Sequence, residues 1–79
     1  MKRTGKLQTA FGKAVRKHRL AAGLSQEGLA ELADLHRTYV GDIERGERNV
    51  SLINMWKLAE ASNVKLSRVL KDVEKELGK

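Results

Sequence analysis

The sequence predicts an all-α fold of five helices in one small domain. Apolar residues recur at intervals of three and four along most of the chain, and no stretch alternates as a half-buried strand would. Proline is absent, so nothing interrupts a helix from within. Serine, glycine, asparagine or aspartate falls where the periodicity resets, which supplies starts and stops.

Residues 1–6 (MKRTGK) carry no apolar side chain after the initiator and read as a flexible basic arm, leaving 7–79 as the folded domain. In the first helix, from Leu7, an inner face gathers Phe11, Ala14, Val15, His18 and Ala22. Lys13, Arg16, Lys17 and Leu20 lie off that face, and Gly23 ends the helix. Ser25 opens a short second helix, because its hydroxyl can accept from a free first-turn amide; Leu29, Ala30 and Ala33 point inward. The third helix runs from about His36 to Arg45, with Leu35 just before it, Val40 and Ile43 inward, and Gly46–Val50 as a loop beyond. Ser51 caps a fourth helix in which Leu52, Met55, Trp56 and Ala59 follow the i, i+3, i+4, i+7 rule beside Leu58, and Asn63 supplies a left-handed end. Ser67 caps a fifth helix to about Leu77, striped by Leu66, Val69, Leu70, Val73 and Leu77.

With 79 residues the core is small, and a second copy covering an apolar face is a natural remedy. The absence of cysteine excludes disulfides, thiolate metal sites and thiol nucleophiles, and suits a reducing compartment. No stretch approaches the roughly 18 apolar residues of a membrane span, and the N-terminus has no apolar signal core, so a soluble, cytoplasmic chain is expected. Sixteen Lys and Arg outweigh ten Asp and Glu, for a net charge of +6. Residues 1–22 hold seven of the bases and no acid, a concentration that attracts a polyanion, either nucleic acid or an anionic membrane. The basic face of the first helix lacks adjoining aromatics, which disfavours the membrane. The two histidines have no third ligand at metal spacing, no glycine-rich phosphate loop occurs, and the carboxylates are scattered among bases. No catalytic set, metal, cofactor or small-molecule ligand is expected.

The informative stretch is Gln26–Arg45, QEGLAELADLHRTYVGDIER, two short helices that must cross steeply through a tight turn. Ala30 supplies the small residue at the crossing, and Asp34 sits where the turn requires a left-handed backbone. Together with GLSQEGLA at 23–30, IERGER at 43–48 and SLINMWKLAEASNVKL at 51–66, this stretch resembles the Cro and phage-repressor family of helix-turn-helix proteins over roughly residues 11–70. Within that family HRTYVGDIERGERN at 36–49 is most similar to the controller proteins of restriction-modification systems. The resemblance implies a five-helix, lambda-repressor-like DNA-binding domain whose second and third helices form the helix-turn-helix. Asp34 and Asn63 stand where the family usually has glycine, and His18 where it usually has Leu or Ile.

With Val40 and Ile43 inward, Arg37, Thr38, Gly41, Asp42 and Arg45 fall outside or at the edge of the third helix, whose N-terminus aims Arg37 and Thr38 at a major groove. Arg37 suits guanine O6 and N7, and Thr38 a base edge or thymine methyl. Asp42 either accepts from a cytosine amine or pairs with Arg45. Gly41, costly within a helix, suits close approach of backbone to DNA. Phosphate candidates are Ser25 and Gln26 at the second helix N-terminus, with His36, Tyr39, Arg45, Arg48 and Asn49 along the groove. The resemblance implies a phosphate contact at Gln26 and a partly buried ion pair between Arg19 and Glu44.

The apolar stripe of the fifth helix suggests a two-fold dimer through Trp56, Leu66, Val69, Leu70 and Val73, placing two reading helices about 34 Å apart on an inverted repeat. Occupancy of such an operator would block or assist RNA polymerase. An antitoxin or phage-type repressor with the same domain, and a protein-interaction module that keeps the fold without DNA, remain open.

Overall fold

Helices succeed one another along the chain, with no strand among the described residues: α1 Lys2–Ala21, α2 Gln26–Ala33, α3 Arg37–Glu44, α4 Leu52–Ala61 and α5 Leu66–Glu76. The computed structural model describes residues 2–79, with side chains from residue 5 onward. Met1 of the expected arm lies outside the described residues. The rest of that arm is helical, because α1 begins at Lys2. Polarity misled here: Lys and Arg are good helix formers, so a segment with nothing to bury can still extend a helix.

All five helices end in the same way. The residues with a left-handed φ are Gly23, Asp34, Gly46, Asn63 and Gly78, one after each helix. At each, the residue's own N–H donates to the carbonyl three back and the next N–H to the carbonyl five back, as in Gly46 to Ile43 (2.9 Å) and Glu47 to Asp42 (2.9 Å). These paired bonds satisfy carbonyls that a helix end otherwise leaves open, and they turn the chain sharply without proline.

At the N-termini, Ser25 Oγ accepts from the Gly28 N–H (2.9 Å) and Ser51 Oγ from the Asn54 N–H (3.1 Å). Ser67 is not a cap. α5 starts at Leu66 behind Lys65, which offers no side-chain cap, and so includes Leu66 one turn ahead of Val69, where it packs against the core.

α1 is the spine, packed against α5, α3 and α4, while α2 lies on α3 and α4. Leu29, Val40 and Ile43 are the largest fully buried side chains; Ala10, Phe11, Ala14 and Val15 of α1, Ala30 and Ala33 of α2, and Leu58 and Ala59 of α4 surround them. Ala22 is exposed beyond the end of α1, and Ala10 and Arg19 hold places on the inner face instead. Val69 and Val73, expected at a dimer interface, are buried within the monomer because α5 turns them onto α1. The α4 stripe also divides: Leu58 and Ala59 face inward, whereas Leu52, Ile53 and Trp56 are well exposed.

Two glycines seat α3 on α1. A Cβ on Gly12 would lie 2.3 Å from the Ile43 carbonyl oxygen and 2.8 Å from that of Glu44, so the two helices touch backbone to backbone. A Cβ on Gly46 would come within 2.8 Å of Thr9 Oγ1, at a φ of 79° that already disfavours a side chain. The C-terminal end of α3 is therefore held tightly.

Part of the basic face of α1 is paired internally. Lys13 Nζ reaches Glu76 (2.9 Å), and Asp72 Oδ2 takes both Lys17 Nζ (3.2 Å) and His18 Nε2 (2.7 Å). Arg68 Nε approaches the other oxygen of Asp72 at 3.8 Å. Burial pushes the Asp72 carboxyl up, but the hydrogen bonds and positive charge of His18 and Lys17 together hold it below the ordinary carboxylate value.

Candidate nucleic-acid interface

The site grows out of the α2–α3 crossing. Asp34, at φ 58° and ψ 48°, ends α2, and two residues later His36 stands at the N-cap of α3 with no side-chain cap bond. Val40 and Ile43 are inaccessible, which decides the face that α3 turns inward. Arg37 and Thr38 are consequently exposed at its N-terminus, and neither makes a side-chain hydrogen bond or ion pair among the described residues.

A buried polar network locks the other end. Arg19 Nε donates to Glu44 Oε2 (2.6 Å), Nη2 to Glu44 Oε1 (3.0 Å) and Nη1 to the Leu24 carbonyl (2.9 Å). The Arg19 and Glu44 side chains are only 9% and 4% exposed. Hydrogen bonding to Glu44 raises the Arg19 pKa above its ordinary value, against the lowering effect of burial. The pair ties α1 to α3 in a fixed geometry, since a bidentate fork tolerates little rotation.

Gln26 Nε2 also donates to Glu44 Oε1 (3.1 Å). The side chain expected to hold phosphate thus belongs to the network, and of the first-turn amides of α2 that of Gly28 is taken by the Ser25 cap. Ser25 is exposed, with its oxygen committed to the cap. Gly41, expected to meet DNA, is instead covered: a Cβ there would sit 3.3 Å from Arg45 Nη1 and 3.6 Å from Gln26 Oε1. Its small size lets those side chains lie across α3.

Around the edge, Tyr39 is half-buried, and its hydroxyl accepts from Asn54 Nδ2 (3.1 Å) of α4. The Arg48 guanidinium lies 5.3 Å from the Tyr39 ring centroid, in cation–π range. Asp42, proposed from sequence as a base reader, has both oxygens occupied: Arg45 Nη2 binds Oδ1, and Arg48 Nε binds Oδ2 at 3.2 Å. The Asp42–Arg45 spacing was visible in the sequence; Arg48 arrives because the Gly46 turn folds the chain back over α3. His36 and Asn49 are exposed on either side of α3 in the chain.

Away from this surface, Trp56 and Leu66 line an open groove of about 680 Å³ with Ala59 and Val64. Leu52, Ile53 and Trp56 on α4 and Leu70 on α5 are the exposed large apolar side chains nearby in sequence, and Leu66 and Leu70 lie one turn apart on α5. Among the described residues no group of three or more His, Asp or Glu could hold a metal ion, and no helix is long and apolar enough to cross a membrane.

A helix-turn-helix family model matches residues 15–69. The control protein C.BamHI of Bacillus amyloliquefaciens is 52% identical over 62 residues, 77% of this chain and 76% of that protein. This chain belongs to the helix-turn-helix family of restriction-modification controller proteins. Control protein C.MunI of a Mycoplasma species is 42% identical over 89% of this chain and 96% of its own length. The crystal structure of the controller protein C.AhdI from Aeromonas hydrophila superimposes with a TM-score of 0.76 at 50% identity, covering 78% of this chain and 94% of that one.

Two features of this fold escaped sequence reasoning. Gly12 stands inside a helix, where glycine is unfavourable, and that cost was the available signal. The Asn54–Tyr39 bond left no sequence signal, since it joins helices across a loop.

Proposed function

We propose that two copies of this chain bind double-stranded DNA at an inverted repeat and regulate transcription there by occupancy, as a restriction-modification controller. The supporting observation is the state of α3: Arg37 and Thr38 are exposed and uncommitted at one end, while Val40, Ile43 and the Arg19–Glu44–Gln26 network immobilise the other. A rigid helix presenting an arginine fork and a hydroxyl fits major-groove reading, with Arg37 on guanine and Thr38 on a base edge or thymine methyl. The other first-turn amides of α2, with Tyr39, Arg45, Arg48 and Asn49, take phosphates and set the register.

The exposed Leu52, Ile53 and Trp56, with Leu66 and Leu70, form the dimer surface in this reading, replacing Val69 and Val73. Apolar exposure on this scale in so small a domain favours burial against a second copy. Bound dimers act in the bacterial cytoplasm by admitting or excluding RNA polymerase. The role is binding rather than catalysis.

Selection of bound fragments from random duplexes, followed by titration at two salt concentrations, tests the reading. Arg37→Ala should cost about 1–3 kcal/mol on the selected site and relax specificity at one position. Absent or salt-independent binding refutes the DNA role and favours a protein-interaction module. Sedimentation as a monomer at tens of micromolar, with and without DNA, refutes the dimer.

A further inference from the structure

We propose that Asp42 is an internal counter-anion that competes with DNA phosphate for Arg45 and Arg48, and so sets the affinity and salt range of DNA binding. The inference rests on the DNA-binding reading above. Its basis is an unusual allocation of charge. Asp42, with a side chain only 17% exposed, holds two guanidinium groups at once, Arg45 through Oδ1 and Arg48 through Oδ2, and both arginines are more than half exposed. Glu47 Oε2 adds a contact to Arg45 Nε at 3.4 Å. Two positive charges at the flank of α3 are therefore balanced by two negative ones, in a chain whose net charge is +6.

A carboxylate and a phosphate oxygen offer arginine the same bidentate, charge-assisted bonds. Asp42 takes Nη2 of Arg45 and the Nε–Nη2 edge of Arg48, so a phosphate uses those donors only by displacing the carboxylate. A duplex arriving at α3 gains little from exchanging one anion for the other at those donors. Among the described residues, positive charge without an internal partner then lies elsewhere, as at Arg16 of α1 and at Arg37. Asp42 belongs to α3 itself and its side chain is largely enclosed, so it stays at the site when the arginines turn outward. If both arginines turn to DNA, a carboxylate remains behind them, and the cost recurs at every duplex whatever its sequence.

The test is Asp42→Asn, which keeps the shape and removes the charge. Binding to a labelled random-sequence duplex and to the selected site is measured at 50 and 200 mM salt. Each phosphate contact contributes about 0.9 to the slope of log affinity on log salt, or roughly a threefold loss of affinity over this fourfold salt range. Freeing both arginines should tighten binding to both duplexes at 50 mM and enlarge the affinity ratio between the two salts by up to about tenfold. In an Arg45→Ala, Arg48→Ala background the same substitution should produce no tightening. Should Asp42→Asn melt near the assay temperature, Asp42→Ser is measured in its place with the same expectation.

Unchanged affinity and salt ratio overturn the proposal. So does weakening confined to the selected site, which would make Asp42 a base reader, and so does tightening that persists without the two arginines. A wild-type chain that binds no duplex at either salt overturns the DNA-binding reading itself, and is recognised before any variant is compared.

Discussion

Replacing Gly12 by alanine tests the seating of α3 most directly. Alanine is intrinsically better than glycine within a helix by about 1 kcal/mol, so propensity alone predicts a stabilised protein. The structure predicts the opposite. The new methyl carbon would lie 2.3 Å from the Ile43 carbonyl oxygen and 2.8 Å from the Glu44 oxygen, roughly 1 Å inside an ordinary contact. Both obstacles are backbone, and the Ile43 carbonyl also accepts the Gly46 N–H, so neither moves without opening the turn. Overpacking of this kind costs about 1–3 kcal/mol where side chains can yield, and the upper end applies where they cannot. Net of propensity, about 2 kcal/mol should be lost, which for a domain this size lowers the melting temperature by roughly 8–16 °C. Gly5→Ala is the internal control, on the same helix with nothing within 4 Å of the added carbon, and should be neutral or slightly stabilising. Thermal and urea unfolding of both variants by circular dichroism measure the difference. A Gly12→Ala protein as stable as Gly5→Ala would refute the backbone-to-backbone contact.

Three further outcomes follow from the same geometry. Arg19→Ala or Glu44→Ala alone should cost about 3–5 kcal/mol in urea unfolding, since each strands a buried charge, whereas joint replacement by methionine should recover most of the loss. Because the folded Asp72 carboxyl lies below its ordinary value, its pairing stabilises the fold above about pH 4 and is lost as pH falls through the folded value. Asp72→Asn should therefore be less stable than wild type at pH 7, with the gap closing as pH falls below the ordinary carboxylate range in urea titrations; a gap independent of pH would contradict this. Ser51→Ala should cost about 1 kcal/mol by removing the bond to the Asn54 N–H, measured by thermal unfolding, and Ser67→Ala, which caps nothing, should be near neutral.

Much of the helix-turn-helix was legible because its signals are local. Ser25 and Ser51 cap what they precede, and Gly23, Asp34, Gly46 and Asn63 can each hold a left-handed backbone for little cost, so four helix ends were placed by residue type alone. The inward direction of Leu29, Val40 and Ile43 followed from the helical period. What escaped depends on partners distant in sequence. Periodicity assigns Val69, Val73, Leu66 and Leu70 to one stripe, yet a stripe wide enough to face two ways is divided only when α1 takes its share, and α1 took the two valines. Similarly Asp42 could be matched with Arg45 three residues on, but Arg48 reaches it only through the fold of the Gly46 turn.

The division of α3 into a held end and a free end gives the network a reason to be polar. Apolar side chains at positions 19 and 44 could fill the same space, and a buried ion pair is seldom the more stabilising choice. Packing alone, however, resists rotation of a two-turn helix weakly, because Val40 and Ile43 offer a narrow face to lean on. The fork from Arg19 to Glu44 fixes the angle at the C-terminal end, Gly12 and Gly46 fix the depth, and the Asn54–Tyr39 bond ties the middle to α4. Arg37 and Thr38 then project from a helix with three independent anchors, none of which uses Arg37 or Thr38. The tie to α4 also connects the reading helix to the helix carrying Leu52, Ile53 and Trp56, so covering that outer face with a second copy would steady the helix that holds Tyr39. The orientation of α3 and the exposed apolar face of α4 are thus linked through one shared element.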